Sequence, residues 1–130
     1  MNGPQGIDIV ALSWCVPEIR ESLARACAEL DRHLGAEAGT TSHLKNARIH
    51  LHQAHGALQV ADVSGVLVLT QEAESLIERG EREERPIDAD AVAALKRALS
   101  AVTEYLEDLQ AGSAPPPVVL FSFYRALLVL

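Results

Sequence analysis

Apolar residues recur three and four positions apart along four stretches of this chain, and that spacing restricts the fold more than any other feature. An α-helix turns about 100° per residue, so residues spaced in this way form one apolar stripe along its surface. Short breaks containing Gly, Pro or charged residues separate the stretches. Helices with one stripe each and short connections bury those stripes by packing antiparallel. The sequence therefore predicts an all-α fold, an antiparallel four-helix bundle.

The start of the first helix is predicted from its capping residue and its proline. Ser13 has the hydroxyl that suits an N-cap, and Pro17 is tolerated only near the start of a helix. We therefore expect the first helix at about residues 13–34, with residues 7–12 as a separate turn or short helix. The three later helices are expected at about 42–62, 64–79 and 89–111.

The domain organisation follows from these helices and from the C-terminal composition. Residues 1–12 are expected to be an N-terminal extension, and residues 13–111 the bundle. A stiff Pro-rich linker at 112–117 precedes an apolar tail at 118–130. The tail is shorter than the roughly 20 residues that span a bilayer. Two interpretations stay open for it: an extra C-terminal helix that packs on the bundle, or the start of a following module.

Composition and charge exclude several classes of partner. Hydrophobic residues make up 48% of the chain but aromatic residues only 4%, which suits closely packed helices better than a β-sandwich. The formal net charge is −7. Because nucleic acids and anionic membranes attract basic surfaces, we expect neither as a partner.

The two cysteines and the N-terminal segment indicate the cellular compartment in which the protein is expected. Cys15 and Cys27 fall on the same predicted helix, about 18 Å apart at about 1.5 Å per residue, which is too far for a disulfide. Reduced thiols are typical of a cytoplasmic protein. The N-terminal segment lacks the positive and apolar regions of a signal peptide. We expect a cytoplasmic location, and the oligomeric state stays open.

The candidate functional residue is His52, in a part of the second helix that holds three histidines. On a helical wheel the core stripe centres between Leu51 and Ala54, and His52 lies about 130° from it, so its ring is expected to point outward. The polar residues that share its stripe are Arg48, His55 and Gln59.

Gly56, one turn after His52, is the second unusual residue of this helix. Glycine inside a helix costs about 0.5–1 kcal/mol relative to Ala, and the physical use of a missing side chain is close approach by another body. Apolar residues are also expected on this outer face, where solvent alone does not require them; they are Ile49, Val60 and Val63. Together these residues predict a docking surface around an exposed imidazole.

A metal site is the alternative for the histidine cluster. His50 is predicted on the opposite side of the helix from His52, so the three histidines do not share one face. His52 and His55 could share an ion with Glu72 or Glu74, but the Glu-x-x-His pairs of di-iron bundles are absent from the sequence. Neither a metal nor another cofactor is therefore expected.

Residues 52–57, His-Gln-Ala-His-Gly-Ala, resemble the His-x-x-Lys-Gly-Ser/Ala signature of histidine phosphotransfer (HPt) domains. Those domains are four-helix bundles with the phosphorylated histidine on the second helix. In the chemotaxis-kinase version, an acid on the next helix, 22 positions after the histidine, orients the ring; here that position is Glu74. The family's Lys is His55 in this chain, and imidazole supplies a cation only when protonated.

The resemblance is closest to the N-terminal region of the CheA-like hybrid kinases of type IV pilus chemotaxis (the ChpA type) and their FimL-like relatives. It covers about residues 12–110. It rests on Leu12-Ser-Trp14, on residues 51–59 and on the helix around Ala73-Glu74.

The resemblance implies a mechanism and partners. His52 would be the phosphoacceptor, Glu74 would orient its ring, and Gly56 would give a partner room to approach. Three further residues would help hold phosphoryl oxygens, namely Arg48, His55 and Gln59. The implied partners are a response-regulator receiver domain, which brings its own Mg²⁺, and the catalytic domain of a histidine kinase. The chain would carry a phosphoryl group without being an enzyme by itself.

The alternative function is a degenerate module of the same fold that docks a partner without phosphotransfer. Its docking surface would be the apolar outer face of the second helix, made of Ile49, Gly56, Val60 and Val63. The position of Glu74 favours phosphotransfer, because a docking surface does not need an acid that orients a ring. His55 in place of Lys favours docking alone.

Overall fold

The computed structural model describes residues 9–61, 63–113 and 115–130, and the regular structure in those ranges is helical. The elements in chain order are α1 (Ile9–Leu34), α2 (Ser42–Ala61), α3 (Ser64–Glu81), α4 (Ala89–Gln110), a 3₁₀ turn (Pro117–Leu120) and α5 (Phe121–Leu128). The predicted all-α class is confirmed. The three later bundle helices lie within a few residues of their predicted positions, which is the usual uncertainty of helix ends.

Helix α1 begins earlier than predicted. It is continuous from Ile9 and contains Pro17, so the predicted start at Ser13 and a separate turn before it are wrong for the described residues; residues 1–8 lie outside them. A proline inside a helix costs about 3 kcal/mol. Leu12 and Val16 on the first turns are buried in the core. Each contributes about 1.5–3 kcal/mol on burial, which offsets the proline.

The core is built from the apolar stripes of the four long helices. Every residue of the predicted α2 stripe is buried: Leu44, Ala47, Leu51, Ala54, Leu58 and Ala61. The stripe on α4 is buried as well, and Asp88 caps that helix by accepting a hydrogen bond of 2.9 Å from the Ala91 amide. Between α1 and α4, the exposed ion pairs Arg20–Glu107 and Lys96–Asp31 lie outside the core.

The apolar tail forms the 3₁₀ turn and α5, which pack against α3 and α4. Leu120 and Leu127 are buried there. Tyr105 of α4 donates a hydrogen bond of 3.0 Å to the Pro115 carbonyl, which ties the Pro-rich segment to the bundle. The extra C-terminal helix that packs on the bundle, one of the two interpretations of residues 118–130, is thus present.

The two cysteines are free thiols on α1. Burial raises the pKa of the Cys27 thiol, which makes it less reactive than an exposed one. Within the described part of the chain, no helix is long and apolar enough to cross a membrane.

Candidate functional site

The His52 ring stands on the outer side of α2 beside α3. Its side chain is 71% exposed, and its Nδ1 atom lies 2.7 Å from Oε1 of Glu74, which is largely buried on α3. A carboxylate only accepts hydrogen bonds, so Nδ1 carries the proton and donates it to Glu74. The lone pair is then on Nε2, on the other side of the ring. The structure brings together the two residues that the spacing of 22 positions predicts.

This arrangement prepares an imidazole for nucleophilic attack. The hydrogen bond fixes one tautomer and one ring orientation, and it leaves the Nε2 lone pair free on the exposed side of the ring. An exposed, oriented Nε2 can attack an electrophile such as phosphorus without a metal ion of its own.

His55 makes a second hydrogen bond between α2 and α3, parallel to that of His52. Its Nδ1 atom lies 2.8 Å from Oγ1 of Thr70, a fully buried residue. The Thr70 hydroxyl in turn donates to the Leu67 carbonyl at 3.1 Å. The sequence did not single out Thr70, because a hydroxyl one turn before Glu74 has no signature of its own.

Arg48 is engaged by a residue that the sequence did not point to. Its guanidinium forms a two-point ion pair with Glu81, the last residue of α3, through Nε and through an Nη2–Oε1 contact of 3.3 Å. The Glu81 carboxylate raises the pKa of Arg48. A role for Arg48 in holding phosphoryl oxygens therefore first requires this pair to open, whereas Gln59 is exposed on the same side of α2.

The outer face of α2 that was predicted to dock a partner is exposed, with one exception. Ile49 and Val60 are exposed, Val60 by 69%, and a Cβ at Gly56 would meet nothing within 4 Å. Val63, however, is 2% exposed and belongs to the core. The prediction for Val63 was wrong because α2 ends at Ala61, so the helical wheel no longer applies and the chain turns this side chain inward.

Helix α1 forms the other side of this surface. A shallow groove of about 650 Å³ lies between α1 and α2, lined by Glu18, Glu21, Ser22 and Arg25 of α1 and by His52, Gln53, Gly56, Ala57 and Val60 of α2. Trp14, one turn before Glu18 on the same row of α1, is 82% exposed. We call Trp14, Glu18, Ile49, His52, Gly56 and Val60 the docking face. The spacing of Trp14 and Glu18, four apart and off the apolar stripe, is the signal that could have found the α1 half.

His50, the remaining histidine in residues 50–55, lies apart from His52 and His55. His50 is half-buried and its Nδ1 atom is enclosed, whereas His52 is exposed. Among the residues that the structure describes, no group of three or more His, Cys, Asp or Glu is arranged to hold a metal ion.

Comparison with known proteins shows the fold. No family model and no curated protein matches the chain. A solved structure, the phosphorylated P1 domain of CheA3 in complex with CheY6 from R. sphaeroides, is similar with a TM-score of 0.80 and 18% sequence identity. The likeness covers 93% of this chain and 94% of that one. The chain thus has the fold of a CheA-type phosphotransfer domain, and the predicted HPt-like architecture is confirmed.

Proposed function

We propose that this chain is a histidine phosphotransfer domain that carries a phosphoryl group on Nε2 of His52 in a chemotaxis-type phosphorelay. The observation that supports this most directly is the exposed His52 ring with its Nδ1 held 2.7 Å from Glu74. The chain acts as a phosphocarrier and not as an enzyme by itself. The finer assignment, to signalling of the type IV pilus kind, rests on the resemblance of residues 12–110.

The proposed transfer step follows from the protonation of the ring. The Nε2 lone pair attacks phosphorus, the bond from phosphorus to the oxygen of the donor breaks, and the oxygen leaves as ADP or as the carboxylate of a receiver aspartate. The ring keeps its Nδ1 proton and becomes positively charged. Glu74 stabilises that charge through the existing hydrogen bond, and the reverse step restores the neutral ring.

The proposed partners are the catalytic domain of a histidine kinase and a receiver domain. The similar P1 domain was solved with CheY6 bound, which supports a receiver as the partner of this chain. A receiver brings the aspartate and the Mg²⁺ that stabilise the transferring group, so this chain needs no cofactor of its own. Transfer from such partners supports a cytoplasmic location for this chain.

Phosphotransfer to defined variants tests the proposal. The domain is mixed with its parent kinase and ATP, or with a phosphorylated chemotaxis-type receiver, and acid-labile, base-stable phosphate is measured. His43→Gln is a matched control, because His43 also lies on α2 with its Nδ1 atom 2.8 Å from a carboxylate, that of Glu29. We expect label on the wild type and on His43→Gln, and none on His52→Gln. Label that persists on His52→Gln would refute the assignment of His52.

The docking face supports a second candidate function, partner binding without phosphotransfer. The exposure of Trp14 and Val60 is the observation that favours it, because solvent alone does not select a Trp at 82% exposure. Trp14 is the only tryptophan, so its fluorescence reports binding directly. A receiver that binds, loses affinity to Val60→Asp, and never labels His52 would establish the docking module instead.

A further inference from the structure

We infer that His55 takes up a proton when His52 is phosphorylated, so that the phosphoryl group on His52 and the proton on His55 stabilise each other. This inference rests on the proposed function and assigns the counter-charge of the phosphoryl group to a titrating residue. Three observations on the described residues support it.

The two rings are held side by side. His52 and His55 lie three apart on α2, which places their Cβ atoms about 5–6 Å apart. Their Nδ1 atoms are bound to Glu74 and Thr70, which lie four apart on α3. Both rings are thus anchored to α3 through the same atom, and both Nε2 atoms lie on the side away from that anchor.

The hydrogen bonds of Thr70 fix the tautomer of His55. The Leu67 carbonyl can only accept, so the single proton of the Thr70 hydroxyl is used in that contact. Thr70 must then accept from His55, whose Nδ1 carries the proton. In the neutral ring the His55 Nε2 atom is an acceptor only, and it would repel anionic phosphoryl oxygens. Protonation of Nε2 turns the same atom into a charge-assisted donor.

The other charged groups around the two rings leave His55 to supply the counter-charge of the phosphoryl group. On the α3 side, Glu74 is bound to His52, and the Arg48 guanidinium is bound to Glu81. On the α1 side, Arg25 is paired with Glu21 at 2.5 Å, and Glu18 adds a negative charge to the groove. The neighbouring arginines are therefore committed to carboxylates, which leaves the His55 ring as a nearby group that can gain a positive charge.

The expected size of the coupling follows from simple electrostatics. An opposite charge within about 4–6 Å changes the proton affinity of a group by about tenfold to a thousandfold. Exposure reduces this, so we expect about tenfold for His55. Because coupling is reciprocal, the phosphorylated state must become favoured by up to the same factor as the pH falls through the range in which imidazole titrates.

Chemical phosphorylation followed by NMR tests the inference without any partner. Phosphoramidate transfers its phosphoryl group to Nε2 of His52 as the P–N bond breaks and ammonia leaves. The ¹⁵N and ¹H signals of the His55 ring are then followed between about pH 6 and 8.5, before and after phosphorylation. We expect the His55 titration midpoint to rise by about one pH unit on phosphorylation, and not to respond to phosphoramidate in His52→Gln.

Two variants separate the role of His55 from a structural one. His55→Lys carries a fixed charge and is expected to remove the pH dependence of the equilibrium between His52 and a phosphorylated receiver. Thr70→Val keeps the buried shape but removes the acceptor, so the neutral His55 ring is expected to show the signals of the Nε2–H tautomer.

The outcomes distinguish the inference from the proposed function. A labelled His52 with an unchanged His55 midpoint would overturn the inference alone. A shifted midpoint in a domain that exchanges no phosphate with a kinase or receiver would overturn the proposed function alone. Absence of any phosphoramidate label on His52 would overturn both.

Discussion

At the scale of single residues, the reactivity of His52 depends on which ring nitrogen carries the proton. Glu74 decides this, because its carboxylate lies 2.7 Å from Nδ1 and is itself largely buried. Removing an acceptor of this kind from a metal-bound histidine typically costs about 10–100-fold in function. Glu74→Ala is therefore expected to slow phosphorylation of His52 by about tenfold or more, measured as the initial rate with phosphoramidate.

Glu74→Gln and Glu72→Gln complete this test. Gln at position 74 can still accept from Nδ1 but has no charge, so its rate is expected between those of the wild type and Glu74→Ala. Glu72 lies on the same helix without a described contact to His52 and is expected to tolerate Gln. Equal rates for the wild type and Glu74→Ala would show that the ring does not depend on this carboxylate.

Gly56 is a position where one substitution is expected to raise stability and to slow phosphotransfer. Because a Cβ at this exposed position meets nothing within 4 Å, Gly56→Ala is expected to raise the free energy of unfolding by about 0.5–1 kcal/mol. The same methyl group narrows the space beside His52 that a partner needs. We expect transfer from a receiver to slow while labelling by the small phosphoramidate stays unchanged. A variant that is more stable and equally fast with both donors would contradict a role for Gly56 in close approach.

The helical period allowed His52 to be predicted, and the family resemblance, with its spacing of 22 positions, added Glu74. Thr70 could not be found in the same way. A buried hydroxyl is a site residue only through what α2 places beside it, and that depends on the register between two helices. The partner of Arg48 was missed for the same reason, since Glu81 lies 33 positions away in the chain.

At the scale of helices, Pro17 is the clearest conflict between local preference and packing. It lies inside α1 without a backbone N–H, and its ring is exposed. Pro17→Ala restores the missing hydrogen-bond donor and removes the clash, so it is expected to stabilise the fold by about 1–3 kcal/mol in chemical denaturation. Pro86→Ala, in the exposed turn before α4, is the control and is expected to change stability by less than about 0.5 kcal/mol. A destabilising Pro17→Ala would mean that the proline benefits α1.

Glu29 of α1 stabilises the contact between α1 and α2 near the loop that joins them. Its carboxylate accepts from His43 at 2.8 Å and from Arg32 at 2.6 Å. The hydrogen bond from His43 is the main cause that lowers the pKa of Glu29, with Arg32 and Asn46 in support, against the opposing effect of burial. A carboxyl with a lowered pKa in the folded state adds stability above its unfolded pKa of about 4.3, and that stability is lost as the pH falls through the folded pKa.

Glu29→Gln is therefore expected to lower the free energy of unfolding at pH 7 by about 1 kcal/mol, the usual size of such a contact. The difference from the wild type should shrink as the pH falls below about 4. Glu21→Gln removes an exposed pair with Arg25 and is expected to have a much smaller effect. A difference between Glu29→Gln and the wild type that is independent of pH would show that the carboxylate charge is not involved.

The positions of the helices could be predicted far better than their ends. The stripes of α2 and α4 gave the core, because burial follows the helical period. Both errors, the late start of α1 and the outward Val63, occurred at helix ends. Where a helix ends depends on whether the next side chain can be buried in the core, as that of Leu12 is. A helical wheel does not contain this information.

At the scale of the whole molecule, α5 makes the bundle asymmetric. α3 faces α2 on one side, where Glu74 reaches His52, and meets α5 on the other. The contact of α3 and α4 with each other is slight, and α5 covers the gap between them. Part of the stability of the helix that carries Glu74 must therefore come from the C-terminal segment, although that segment lies apart from the docking face.

Substitutions at Leu127 and Leu128 of α5 test whether the C-terminal segment contributes to stability without affecting the site. Leu127 is fully buried and Leu128 is half-exposed, so they differ in environment but not in chemistry. Leu127→Ala is expected to lower the free energy of unfolding by about 2–5 kcal/mol, against less than about 1 kcal/mol for Leu128→Ala. Below its melting temperature, Leu127→Ala should still be labelled on His52 at the wild-type rate, because α5 supports α3 from the side opposite the site. A folded Leu127→Ala that labels slowly would show that α5 also sets the position of Glu74, and equal stability of the two variants would show that α5 does not contribute to the core.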